Sequence, residues 1–346
     1  MNNKKTMQFA QWDITSTCNM RCKHCRAWKL PRNNELSTKE GMRLLDQLYK
    51  LKVQILNLSG GEPLLRKDIF LLLDYAKKFN SVTITTNGLI LNNENFVKKI
   101  KAYKNLRVSL SIDGMKKFHD EFRQIPGAFE KAITAVKILT KESIPTSIRF
   151  TLTKLNDKEA LKVFKLTSRY RIESFNIRAV LPFGHANKSI MPSSEQYKKV
   201  LEKLLKESSQ NKIPIISGDP ILLPLFPELL GRVWQDMGQR VYSEIYGGCL
   251  AGDEIVYIKP NGDIGACAFI PDIAGNIREN SLIEVINKSP LFKKLHNCRD
   301  RIKGKCGACK FKYLCGGCRA AALATNRDLF AEDLRCLLIN NKDTVK

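Results

Sequence analysis
The chain has 346 residues, of which 43% are hydrophobic and 27% charged, with 58 Lys and Arg against 34 Asp and Glu and 11 cysteines. That composition buries a real core and excludes wholesale disorder, and the length suits two domains at about 100–200 residues each. The longest apolar stretch, from Ile221 to Leu230, is broken by Pro224, Pro227 and Glu228, short of the ~20 apolar residues of a membrane span.

The first seven residues carry Lys4 and Lys5 and no apolar run, so no secretory signal is read there. A cytoplasmic location follows as the expectation, and reducing conditions there do not maintain a disulfide framework. An odd cysteine count also leaves one thiol over in any pairing, so the thiols read as metal ligands. A net charge of +24 suits an anionic partner (acidic peptide, polycarboxylate or nucleic acid) and equally suits a merely basic surface.

In chain order, residues 9–15 form a β-rich run. Behind Ser37, a helix N-cap, apolar residues recur at helical spacing over 37–51. A strand over 53–58, a helix over 65–79, a strand over 82–86 and a helix over 93–103 follow. Then come a strand over 107–112, a helix over 127–139, a strand over 147–153, a helix over 157–170 and a strand over 174–180. Six strands interleaved with helices predict βαβ units and a parallel sheet. Six units are too few for a closed eight-stranded barrel, so the α/β fold expected over residues 8–212 is a partial (β/α)6 barrel. Its chemistry belongs at the C-terminal strand ends. Another amphipathic helix spans 193–209. Residues 213–246 bridge to a small cysteine-rich domain over 247–340. That domain shows short strands, Gly-rich turns and little apolar periodicity, so metal is expected to support its fold.

The cysteines are clustered. Cys18, Cys22 and Cys25 lie just after the first strand; none follows until Cys249, and eight lie between Cys249 and Cys336. Zinc and iron–sulfur sites both accept thiolates, but structural sites use four protein ligands, and three leave one metal position open. His24 would crowd a zinc ion shared with Cys25, which favours iron–sulfur. The later cysteines run Cys249-x12-Gly262-x4-Cys267, then Cys306-x2-Cys309-x5-Cys315-x2-Cys318, then Cys336. Alone, the two CxxC pairs read as a zinc ribbon.

C-x3-C-x2-C after the first strand of such a barrel resembles the radical S-adenosylmethionine (SAM) superfamily. There, three cysteines hold a [4Fe–4S] cluster whose fourth iron is chelated by the amine and carboxylate of SAM. Reduction cleaves SAM to methionine and a 5′-deoxyadenosyl radical that abstracts a substrate hydrogen. The resemblance implies that Cys18, Cys22 and Cys25 are the catalytic cluster ligands. It implies that Gly60-Gly61-Glu62-Pro63 lies against SAM, the glycines by close backbone approach and Glu62 by accepting from the ammonium. It further places Asn87 at a strand-end SAM motif, Ser111 or Asp113 on the ribose, Arg123 near the SAM carboxylate and His24 near the adenine. Gln124 stands where relatives commonly carry Gly.

The C-terminal pattern resembles the SPASM extension, which carries two auxiliary [4Fe–4S] clusters; here the last gap is x2 rather than x3. Carried over position by position, Cys306, Cys309, Cys315 and Cys336 would bind an outer cluster. Cys249, Cys267 and Cys318 would bind an inner one, which is then one ligand short. Cys298 supplies that ligand, acts as a redox or hydrogen-atom donor, or is a plain buried thiol; otherwise the iron stays open.

The resemblance runs from Trp12 to Cys336, in the branch that holds heme and heme-like synthases and ribosomal-peptide maturases. The leading expectation is an oxidative radical SAM/SPASM enzyme acting on a ribosomally made peptide or protein by cross-linking, desaturation or decarboxylation. Only 17 residues precede Cys18, leaving no room for a fused leader-binding domain, so a separate recognition protein is expected, with a flavodoxin- or ferredoxin-like electron donor. The alternative is a tetrapyrrole side-chain modifier, which suits the positive charge. A nucleic-acid-binding zinc protein and a pure electron carrier are weaker readings, the latter opposed by Gly60–Pro63; neither nucleic acid nor membrane is expected as a partner. Ten Lys and Arg against one Asp between Asn287 and Arg319 put part of the basic excess beside the expected outer cluster.

Overall fold
A computed structural model describes residues 7–225 and 248–338. The six expected strands are β1 (Phe9–Thr15), β2 (Ile55–Gly60), β3 (Ser81–Thr86), β4 (Leu106–Ser111), β5 (Thr146–Leu152) and β6 (Ser174–Ala179). Each pairs in parallel with the next, as a run of βαβ crossovers requires. β2 starts two residues later than expected. Lys52 takes up a left-handed conformation, φ 61°, and its turn closes the preceding helix before the strand begins.

Helix α1 (Thr38–Lys50) starts in a capping box in which Ser37 and Glu40 satisfy each other's backbone donors. The single helix expected over 65–79 is instead broken into α2 (Ile69–Tyr75) and two short 3-10 turns, Pro63–Leu65 and Ala76–Lys78. Arg66 is extended there, φ −69° and ψ 123°, and its guanidinium reaches back to the carbonyls of Ile14 and Leu36. Helices α3 (Glu94–Lys101), α5 (Ala128–Lys141), α6 (Asp157–Thr167) and α7 (Ser194–Asn211) match expectation, while α4 (Lys116–Arg123) was not expected. Gln124 ends α4 at φ 59°, the conformation that explains a Gly preference at this position.

Two edges extend the sheet beyond the six strands. β7 (Ile215–Ile216) pairs with β6. At the other edge β8 (Ile255–Ile258), from the cysteine-rich region, pairs in parallel with β1 from Phe9↔Ile255 to Trp12↔Ile258. Antiparallel β9 (Asp263–Gly265) and β10 (Gly275–Asn276) complete a ten-stranded sheet. The C-terminal region thus continues the barrel sheet and shares its core. Buried Leu282, Ile286, Phe292 and Leu295 join the same apolar core as Trp12 and Leu44. Of the expected bridge, 226–246 lies outside the described residues, as do 247 and 339–340 of the C-terminal domain. No described helix is long and apolar enough to cross a membrane.

Candidate active site at the cysteine loop
The loop after β1 is pinned before its first cysteine. The Glu35 carboxylate accepts from Ser16 N at 2.7 Å, Ser16 Oγ at 2.9 Å and Thr15 Oγ1 at 3.0 Å. The glycine turn after β2 then lies against it, with Gly61 N donating to Thr15 O and Glu62 N to Thr17 O, both at 2.8 Å. A Cβ on Gly61 would stand 2.1 Å from Thr17 O, and Gly60 has φ 122°; only glycines permit this approach.

Cys22 is buried, Cys25 half-buried and Cys18 exposed, and the three lie in one another's electrostatic field. Burial pushes Cys22 up to about 12, so as a free thiol it keeps its proton. The other cysteines sort into two sets by the same criterion. Cys306, Cys309, Cys315 and Cys336 act on one another. Cys249 acts on Cys267, Cys318 and Cys298, the last a buried thiol. Among the described residues no three His, Cys, Asp or Glu side chains already converge as a metal-ion site. All-thiol donor sets of this kind fit thiolate-held iron–sulfur clusters.

Around the cysteine loop, Glu62 is buried and already engaged. Its carboxylate accepts from Thr86 Oγ1 at 2.7 Å, Asn87 N at 2.8 Å and Leu64 N at 3.2 Å, bracing the glycine turn against the end of β3. Asp113 is fully buried, held by Arg123 at 2.6 Å and by Thr151 N at 2.8 Å. Of the two ribose candidates, Ser111 lines the cavity beside the loop, whereas Asp113 sits behind its wall. Asn87 also lines the cavity, its amide donating to Asn19 at 2.7 Å. His24 stacks on Phe122 with ring centroids 4.7 Å apart and planes 5° apart, its Nε2 3.7 Å from Asp113. Burial lowers His24 to about 4, so it is a neutral ring facing the cavity, and among the described residues its Nδ1 has no partner.

Sequence reasoning missed the other wall. Arg26, Arg149 and Arg178 line the cavity with Arg123, and no Asp or Glu is among the lining residues. Arg26 is held bidentately by Asp13 at 2.8 and 2.9 Å, and Tyr257 of β8 bonds to both. Arg178 lies 3.6 Å from Asp219, stacks over Phe269 at 4.4 Å and donates to Cys318 Sγ at 3.8 Å. The available signal was the alternation of β5 and β6, where Arg149 and Arg178 occupy half-buried positions between fully buried apolar ones.

The Radical SAM superfamily profile matches residues 12–167, and the SPASM iron–sulfur cluster-binding domain profile matches residues 249–310. Among curated proteins, the chain is 32% identical over 336 residues to the AdoMet-dependent heme synthase of Methanosarcina barkeri, covering 94% of this chain and 95% of that one. It is 28% identical to mycofactocin maturase MftC of Mycobacterium tuberculosis, covering 94% and 82%. Among solved structures, Streptococcus suis SuiB bound to precursor peptide SuiA shares the fold, with TM-score 0.80 at 21% identity over 96% of this chain and 76% of that one. With a relative aligned along nearly the whole of both chains, this protein belongs to the radical SAM superfamily, as an enzyme whose cofactors are SAM and [4Fe–4S] clusters.

Proposed function
We propose that this enzyme oxidatively modifies a ribosomally made peptide or protein. The observation that carries the oxidative part is Arg178, which lines the cavity facing the cysteine loop and bonds to Cys318 of the C-terminal set. Cys18, Cys22 and Cys25 would hold the SAM-binding cluster. Cys306, Cys309, Cys315 and Cys336 would hold the outer auxiliary cluster, and Cys249, Cys267 and Cys318, with Cys298 as fourth ligand, the inner one. When bound, these groups supply hydrogen-atom abstraction and one-electron acceptance. The chain's own work is positioning: the neutral His24 ring offers a stacking face for adenine, Ser111 a hydroxyl for ribose, and Arg123, oriented by Asp113, a cation beside the loop. A flavodoxin- or ferredoxin-like donor, a separate recognition protein and a cytoplasmic location belong to the same proposal.

Similarity to a maturase supports the peptide reading. A second reading, modification of tetrapyrrole side chains, is supported by the heme synthase relative and by a cavity rich in arginine without a lining carboxylate. The deciding experiment is 5′-deoxyadenosine release by the anaerobically reconstituted enzyme, given either precursor peptides encoded beside its gene or iron coproporphyrin. Enhancement and product with a peptide supports the first reading; enhancement by the porphyrin alone replaces it with the second.

A further inference from the structure
Arg149 stands apart from the other cavity arginines. Arg26 has Asp13, Arg123 has Asp113, and Arg178 has Asp219, which Arg335 shares at 3.1 Å. Among the described residues no carboxylate lies within ion-pair distance of Arg149, and no side chain or carbonyl accepts a hydrogen bond from its guanidinium. It sits on β5 two residues before Thr151, on the half-buried face that lines the cavity. A half-buried guanidinium on the cavity wall whose nearest acidic influence, Asp113, is already paired with Arg123 is left undercompensated, and its planar fork matches a carboxylate bidentately.

From this juxtaposition we infer that Arg149 anchors a carboxylate of the substrate, resting on the reading that the cavity receives one. The carboxylate of SAM has a nearer cation. Cys22 and Cys25 both act directly on Arg123, whereas the cations acting on Arg149 are Arg178 and Arg26, with Asp113 acting on it more weakly. Burial and those two cations draw Arg149 down to about 10, so it stays protonated at neutral pH while favouring an incoming anion. A porphyrin propionate and an acidic peptide side chain share this chemistry.

The test uses the reconstituted full-length enzyme as wild type, Arg149→Gln and Arg149→Lys. Affinities are measured at moderate salt for SAM, for coproporphyrin III against its tetramethyl ester, and for a hexaglutamate peptide against hexaglutamine. Arg149→Gln is expected to weaken one acid probe about tenfold and its neutral counterpart not at all, leaving SAM affinity and the SAM-perturbed cluster EPR signal unchanged. Arg149→Lys, which keeps the charge and loses the fork, is expected to fall between. The acid probe that weakens names the source of the carboxylate. The inference is overturned if SAM affinity or the EPR signal changes while acid binding does not, or if wild type binds acid and neutral forms alike. If Arg149→Gln loses acid binding while no peptide or porphyrin stimulates wild-type SAM cleavage, the anchor stands and the functional reading falls.

Discussion

The two cysteine regions are built on opposite principles. The first loop is short, and contacts from the barrel shape it: Glu35 fixes its start, Arg66 holds the end of β1, and Gly61 lies against Thr17. The C-terminal cysteines hang on short pieces, a five-residue helix (Gly304–Ala308), a turn through Cys315 and an eight-residue helix (Arg319–Asn326). Their ties are local: buried Arg319 donates to the carbonyls of Gly316, Leu329 and Ala331, Asp333 pairs with Arg335 and accepts from Cys318 N, and the amides of Phe311 and Gly317 donate to the sulfurs of Cys309 and Cys315. The difference teaches that a catalytic loop can be held by the barrel it belongs to, while the auxiliary cysteines rest on short pieces braced by a few buried side chains.

The largest expected effect isolates the first region. Cys22→Ala should abolish reductive SAM cleavage, read as 5′-deoxyadenosine, yet leave far-UV circular dichroism and melting nearly unchanged. Unfolding of that variant would break the comparison, because the loop would then need its metal for shape.

Cys309→Ala should remove product while some uncoupled 5′-deoxyadenosine persists. Iron should fall from about 12 to about 8 per chain, one cubane fewer. In hydrogen exchange, protection should drop over 304–326 and hold in β1 to β6. Full product formation by this variant would refute the auxiliary role.

Behind the first loop lies a buried ion pair, whose weakening tests how much of the preorganisation is electrostatic. Asp113→Asn leaves Arg123 buried and uncompensated, and should cost about 3–5 kcal/mol in denaturant unfolding. The Arg123 cation and the Thr151 amide outweigh burial and hold the Asp113 carboxyl below its usual range. Its stabilising effect is therefore full above the unfolded value of about 3.9 and is lost as pH falls through the lower folded value; the variant should lose that acid limb.

The smallest effect comes from the histidines. Burial lowers His24 to about 4 and His119 to about 3, so the unfolded chain takes up protons below about 6.5 that the folded chain refuses. Stability should decline as pH falls from about 6.5 towards 4. Replacing partly exposed His24 with Phe should flatten the decline modestly, and an unchanged slope would show that His24 titrates freely.

Much of the architecture could be read in advance because its causes are local. Strand period, the Ser37 cap and the run of crossovers lie within short windows, and cysteine spacing along one loop is covalent arithmetic. Helix α4 was missed because its two turns are bounded by Gly114 and Gln124 and its apolar face is brief. The break at Arg66 was missed because its cause lies on β1. In the site, cysteine sets and the glycine turn were visible as motifs, but Glu62 and Asp113 turned out to be engaged by the chain itself.

By itself, the sequence determined the class of chemistry: three thiols with one position open, a glycine turn after the second strand, and two further cysteine sets. Only the tertiary structure decided that β8 would lie beside β1, that Tyr257 would meet Asp13 and Arg26 across more than two hundred residues, and that Arg149 would face a cavity without an anion. The reason is physical. Motif spacing is carried by the covalent chain, whereas charge pairing depends on which strand edges remain open and which side chains the completed sheet brings face to face.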